Sequence, residues 1–156
     1  MLDFPDLKIS FDSCDFHLMT EFKTDIRVSW VDTDAAGLVH FSNYFRFFER
    51  AEESLLGQIE LNYSLLRSKY GIGIPKVEAH CKYLAALHHE DVIQVKVVVR
   101  DIEEKTFRED FHLIGTAKDN LVAEGYVVSI AMSFETGRSV PIPPEVASKL
   151  KSFMKS

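Results

Sequence analysis

Between residues 121 and 134 the side chains alternate in size, and that alternation limits what can lie beside them. The odd positions Ala123, Gly125, Val127, Ser129, Ala131 and Ser133 are mostly small, and the even positions Tyr126, Val128, Ile130, Met132 and Phe134 are bulky. A period of two marks a strand. A face of small residues lets a helix or another backbone approach closely.

A partner for that face is present upstream. Phe41, Tyr44, Phe45, Phe48, Ala51 and Leu55 follow helical spacing, while Arg46, Glu49, Arg50 and Glu53 fall elsewhere on the surface. Ser42 or Asn43 is the expected cap and Gly57 the expected stop. Before this helix, residues 22–31 read as a strand with Phe22, Ile26, Val28 and Trp30 on one side. A short second helix is expected over residues 63–70, ending at Gly71. Strands are expected over 76–84, 91–100 (Ile93, Val95, Val97 and Val99 aligned) and 106–116 (Phe107, Phe111 and Leu113 aligned). Lys118, Asp119 and Asn120 suggest a hairpin before the last strand. Pro143 and Pro144 open a C-terminal helix over residues 145–154. Strands set apart from helices mean an α+β fold with a mainly antiparallel sheet, curved around the long apolar helix.

The 156 residues match the size of one domain, and 46% hydrophobic content suffices for a core. No internal repeat or linker divides the chain. Residues 1–20 show no period and read as an N-terminal arm of unknown role, with a single domain over 21–156. No apolar run is long enough for a membrane span, and the first residues lack the form of a signal peptide. Cys14 and Cys81 make no metal-binding or CxxC spacing. They are expected to be reduced thiols in a cytoplasmic protein, or one bridge in a secreted one. A formal net charge of -6 argues against nucleic acid as a general partner. A small anionic ligand would need a local basic patch.

The joint between the first strand and the long helix reads VDTDAAGLVHFSNY, residues 31–44. Strand, D-T-D-A-A-G-x-V-x-F-x-N-Y, helix resembles the signature of the 4-hydroxybenzoyl-CoA thioesterase branch of the hotdog-fold superfamily. The likeness in motif and element order covers most of the chain. It implies a curved antiparallel sheet wrapped around a central helix. It implies a homodimer, often a dimer of dimers (a homotetramer), with active sites at the subunit interface. It also implies hydrolysis of an acyl-CoA thioester without metal or organic cofactor. The second acid of the motif, Asp34 here, is catalytic in that family. The backbone N–H of the aromatic at the helix start, Phe41 here, serves the thioester oxygen.

Elementary chemistry agrees with those roles. A helix start carries free N–H groups and the positive end of the peptide dipoles. Attack on a thioester builds negative charge on its oxygen, and one oxyanion donor is worth about 3 kcal/mol. Ala35, Ala36 and Gly37 leave room for the substrate carbonyl. An ordinary aspartate is ionised at neutral pH, which suits a nucleophile, whereas burial would suit a general base. Both mechanisms stay open. Asp32 reads as a loop former or solvent-facing acid.

For coenzyme A, Lys105 and Thr106 match in character the basic and hydroxyl residues that related enzymes place there, whereas Glu104 stands where a basic residue can occur. Arg138 is a second basic candidate. Tyr44, Phe45 and Phe48 are expected in the core or a dimer contact, with Tyr44 also a candidate substrate contact. Pro75 and Tyr83 could border the acyl pocket. His88, His89, Glu90 and Asp91 read as a turn rather than a metal cluster, because neighbours on a strand point to opposite faces. His40 has no firm role, and no GxSxG elbow supports serine chemistry. Two alternatives remain: a non-catalytic acyl-CoA-binding protein of this fold, and a thioesterase acting on acyl carrier protein. A hotdog hydratase is disfavoured, since the helix over residues 43–56 contains no His. The acyl group is left open among aromatic, short and long chains.

Overall fold

The structure, a computed structural model, describes residues 21–154; the expected arm over residues 1–20, with Cys14, lies outside them. Strand β1 (Phe22–Arg27) is followed by helix α1 (Tyr44–Gln58) and helix α2 (Tyr63–Tyr70). Strands β2 (Ile72–Gly73), β3 (Lys76–Tyr83), β4 (Val92–Arg100), β5 (Thr106–Gly115), β6 (Asn120–Ile130) and β7 (Met132–Ser133) come next, and α3 (Pro144–Lys151) closes the chain. Five strands form one sheet in the order β1-β4-β5-β6-β3. Every neighbouring pair is antiparallel. The α+β class and the helix-on-sheet arrangement are as expected.

The core is where the periodicity places it. Ile93, Val95, Val97 and Val99 of β4 are buried, as are Phe107, Phe111 and Leu113 of β5. The small face of β6 lies under α1. Phe48 stacks on Phe111 with ring centroids 4.5 Å apart, and Phe111 pairs across the ladder with Gly125. A Cβ at Gly125 would stand 2.2 Å from the His80 carbonyl oxygen and 2.9 Å from the tip of the Phe48 ring. Only a missing side chain lets α1 sit this close. Helix α2 matches its expected bounds, with Asn62 accepting the Leu65 N–H at 2.7 Å and Gly71 in the left-handed conformation at φ 67°.

Several boundaries differ. Strand β1 stops at Arg27, and residues 30–32 form a tight 3-10 turn that leaves Trp30 76% exposed instead of facing the core. Neither Ser42 nor Asn43 caps a helix with its side chain: His40 accepts the Ser42 N–H, and Asn43 turns away to the Asp32 carbonyl. Gly57 does not stop α1, which continues through Gln58. Phe41 sits on a 3-10 turn before α1 and is 64% exposed, while Phe47 takes a core position the expected stripe omitted. The last long strand breaks at Ala131, and β7 leaves the main sheet to pair with β2. Helix α3 runs from Pro144 to Lys151, shorter than expected.

The contact at Gly125 yields a direct test. Gly125→Ala forces a backbone shift, since the nearest atom is a carbonyl rather than a movable side-chain tip. Urea unfolding is expected to show a loss of roughly 2–3 kcal/mol.

Candidate active site

Asp34 lies on a loop that closes on itself. Thr33 bridges Val39, the Asp34 N–H donates to the Leu38 carbonyl at 2.8 Å, and the Gly37 N–H returns to the Asp34 carbonyl at 3.0 Å. Gly37 has φ 76°, which the turn requires and glycine supplies without strain. The Asp34 side chain is exposed. Its Oδ1 accepts the Ala36 N–H at 2.8 Å, and among the described residues no hydrogen bond engages Oδ2.

The loop is anchored by Asp32, which is 2% exposed and not the solvent-facing acid the sequence suggested. Its Oδ2 accepts the Ser29 N–H at 2.9 Å, and its Oδ1 pairs with Arg46 on α1 at 3.0 Å. The Asp32 carbonyl accepts both the His40 N–H and the Asn43 side-chain amide at 2.9 Å. One residue thereby joins the end of β1, the Asp34 loop and the helix start. The signal in the sequence was Arg46, a cation in the first turn of α1 within reach of the preceding loop.

Phe41 begins the 3-10 turn that runs into α1. Its N–H has no intrahelical acceptor. Tyr83, at the end of β3, donates its hydroxyl to the Phe41 carbonyl at 3.0 Å and so ties the helix start to the sheet. Tyr44 is buried against the rings of Tyr83 and Phe47, and burial, with Cys81 and Tyr83 nearby, pushes its hydroxyl up to about 12. Burial also pushes the Cys81 thiol up to about 12, which makes it a poor nucleophile.

Lys105, Thr106 and Arg138 stand apart from this corner. Thr106 opens β5 and Lys105 stands just before it, where the Lys105 carbonyl accepts the Ala131 N–H at 2.8 Å. The Arg138 carbonyl accepts the Ser133 N–H at 2.9 Å, so these residues flank the same 131–133 segment. Thr106 pairs with Ile130, whereas Tyr83 pairs with Ala123 near the other end of β6. The ten residues of β5 put roughly 30 Å between the two ends of the sheet. A single chain therefore does not bring its basic candidates to Asp34. His88, His89, Glu90 and Asp91 form a turn, with the His88 N–H donating to Asp91 Oδ2 at 2.7 Å. Among the described residues no three side chains are grouped to hold a metal ion, and no helix is long and apolar enough to cross a membrane.

A second polar cluster escaped the sequence reading. Glu52 of α1 is buried, accepts the Tyr63 hydroxyl at 3.0 Å, and pairs with Lys76 of β3. Lys76 also donates to Ser129 Oγ at 2.9 Å. Glu109 is fully buried beside them, its carboxyl oxygens without a well-formed hydrogen bond. Burial, reinforced by the neighbouring Glu52, lifts the Glu109 carboxyl well above the usual range, against the pull of Lys76. Burial and Glu52 likewise hold the Tyr63 hydroxyl protonated.

With this geometry in place, comparison with known proteins gives the class. Residues 28–150 match the family described as the thioesterase-like superfamily. A putative esterase of Aquifex aeolicus is 34% identical over 80% of this chain and 94% of its own length. A 1,4-dihydroxy-2-naphthoyl-CoA hydrolase of Thermosynechococcus vestitus is 30% identical over 80% of this chain and 85% of its own. The solved structure of a gentisyl-coenzyme A thioesterase superposes with a TM-score of 0.74 at 29% identity, covering 83% of this chain and 99% of that one. The chain belongs to the thioesterase-like superfamily, and it is a thioester hydrolase of hotdog fold.

The buried cluster makes a prediction whose sign follows from linkage. An elevated carboxyl pKa means that the folded state holds the Glu109 proton more tightly than the unfolded chain. That stabilisation is complete below the ordinary value of 4.5 and is lost as pH rises through the folded value. Glu109→Gln has no proton to lose. Its melting temperature is expected to gain on that of the wild type as pH rises above the ordinary carboxyl value of 4.5, measured by thermal unfolding in matched buffers.

Proposed function

We propose that this protein hydrolyses an acyl-coenzyme A thioester to the free acid and coenzyme A, with Asp34 as the reacting carboxylate and the Phe41 amide as oxyanion donor. The observation that carries this reading is the closed loop, which holds Asp34 through one carboxylate oxygen and is tied by the His40 N–H to the segment that opens the helix. A carboxylate fixed through Oδ1 presents Oδ2 in a defined direction. In the covalent route Oδ2 attacks the carbonyl carbon, the carbon–sulfur bond breaks, and water hydrolyses the resulting anhydride. In the alternative, Asp34 takes the proton of an attacking water. In both, the coenzyme A thiolate leaves and is protonated from solvent. No metal or organic cofactor enters either route, and the enzyme is read as cytoplasmic. Single turnover in heavy-oxygen water separates the routes, because only the covalent one puts label into Asp34.

The separation of Asp34 from Lys105, Thr106 and Arg138 supports a homodimer, itself open to pairing as a dimer of dimers. Strand β3 is an edge of the sheet, and its Val77 is 58% exposed. Edge strands are templates for pairing. Two β3 strands paired antiparallel would set the Lys76 end of one chain beside the Tyr83 end of the other. The basic candidates of each chain would then approach the Asp34 corner of its partner and supply the phosphate contacts of coenzyme A. Lys105 and Arg138 would act there as the local cations on an otherwise acidic surface.

Two outcomes test this reading. Asp34→Asn keeps an acceptor for the Ala36 N–H, so the loop survives. Steady-state release of coenzyme A is expected to fall at least about 100-fold, and a near wild-type rate would remove Asp34 from the chemistry. Sedimentation at micromolar concentration is expected to give twice the chain mass. A fully active monomer would eliminate the paired-edge site.

A further inference from the structure

Phe41 is held by its backbone more than by its side chain. Its side chain is exposed, and its ring leans on His40 with centroids 4.4 Å apart. Hydrogen bonds fix the peptide groups on either side. The His40 N–H donates to the Asp32 carbonyl at 2.9 Å, and the His40 carbonyl accepts the Asn43 N–H at 2.9 Å. The Phe41 carbonyl accepts the Tyr83 hydroxyl at 3.0 Å. The Phe41 N–H belongs to the peptide between the first and last of these bonds, so both bear on its direction. Asp32 and Asn43 lie on the segment that leads into the helix. Only the Tyr83 bond comes from the sheet.

Tyr83 suits that task. A carbonyl only accepts, so the hydroxyl is the donor. Burial, with Cys81 beside it, raises the pKa of this hydroxyl, which keeps its proton in place at neutral pH. The ring stands edge-on to the buried Tyr44, centroids 4.8 Å apart, and its backbone pairs with Ala123 of β6. A ring ordered by packing delivers its hydroxyl with little further loss of side-chain freedom. The bond is exposed, and water can replace it, so it adds little to the stability of the fold. Its contribution is direction.

We propose that Tyr83 is a positioning residue for the reaction: its hydroxyl, on the Phe41 carbonyl, keeps the Phe41 N–H aimed at the thioester oxygen. The inference rests on the thioesterase reading above and adds a residue that acts only through Phe41. A wall of the acyl pocket would act on binding. A positioning residue acts on the charged transition state, because an amide slightly out of line loses oxyanion stabilisation and little ground-state binding.

The test is Tyr83→Phe, which keeps the ring against Tyr44 and removes the donor. The substrate is whichever of benzoyl-, butyryl- and palmitoyl-CoA the wild type hydrolyses fastest. Its single-turnover rate is expected to fall roughly 5- to 30-fold in the variant. The Kd of the matching thioether, in which CH2 replaces the carbonyl, is expected to stay within about twofold. The melting temperature is expected to stay within about 4 °C. The order parameter of the Phe41 N–H, read by nitrogen-15 relaxation, is expected to be about 0.85 in the wild type and clearly lower in the variant. An unchanged order parameter overturns the inference. So does a rate loss matched by equally weaker thioether binding, or a larger drop in melting temperature, since either makes the role one of binding or of structure. A lower order parameter with an unchanged rate overturns it as well, and shows that the Phe41 amide is not the oxyanion donor. If the wild type hydrolyses none of the three substrates, the thioesterase reading fails by itself, and the order parameter alone decides whether Tyr83 holds Phe41.

Discussion

A single buried aspartate holds the Asp34 loop and the helix start together. Asp32 presents its carboxylate to Ser29 and Arg46 and its carbonyl to His40 and Asn43. These groups come from the end of β1, from the far side of the Asp34 loop and from the helix start. A loop of small residues would otherwise sample many conformations, because Ala35, Ala36 and Gly37 offer little to pack. The placement of the Asp34 loop against the helix start therefore depends on hydrogen bonds made by Asp32. Charge-assisted bonds to a buried carboxylate are among the stronger ones available, and removing one partner leaves a desolvated acceptor at a cost of about 1–3 kcal/mol.

The depth at which α1 lies on the sheet follows from β6. Gly125 and its small neighbours let the Phe48 ring settle on Phe111. The same close approach brings Glu52 of α1 within reach of Lys76 and Ser129 on the sheet. Packing geometry and the polar cluster are thus one feature: a larger residue at Gly125 would lift the helix and open the ion pair to water.

Much of this architecture was legible in the sequence, because period and size report burial directly. The aligned valines of β4, the small face of β6 and helix α2 between Asn62 and Gly71 were all readable that way. What escaped was polar residues in apolar places. Glu52 falls between Phe48 and Leu55 on a helix whose pattern seemed settled by its aromatics. Glu109 lies in line with Phe107 and Phe111, and alternation alone predicts its burial but not what could compensate it. Its neighbours come from α1 and β3, and only the folded chain shows them together. Trp30 and Phe41 were misplaced for the opposite reason: both are large and apolar, yet each sits on a short 3-10 turn. Their exposure is set by backbone turns that the hydrophobic pattern does not encode. The corner residues themselves, Asp34 and Phe41, were found through motif resemblance, since a loop aspartate has no period to betray it.

The buried Glu52, Lys76 and Glu109 cluster is poorly explained by stability. Buried ion pairs commonly contribute no more than the hydrophobic residues that could replace them. The surrounding walls show such residues fit here, for Phe48, Ala79 and Val127 line the same space. Glu109 is more awkward still, an acid whose burial lifts its carboxyl well above the usual range where a leucine would meet no penalty. A fold that only needed its helix seated would lose nothing by an apolar choice at these positions.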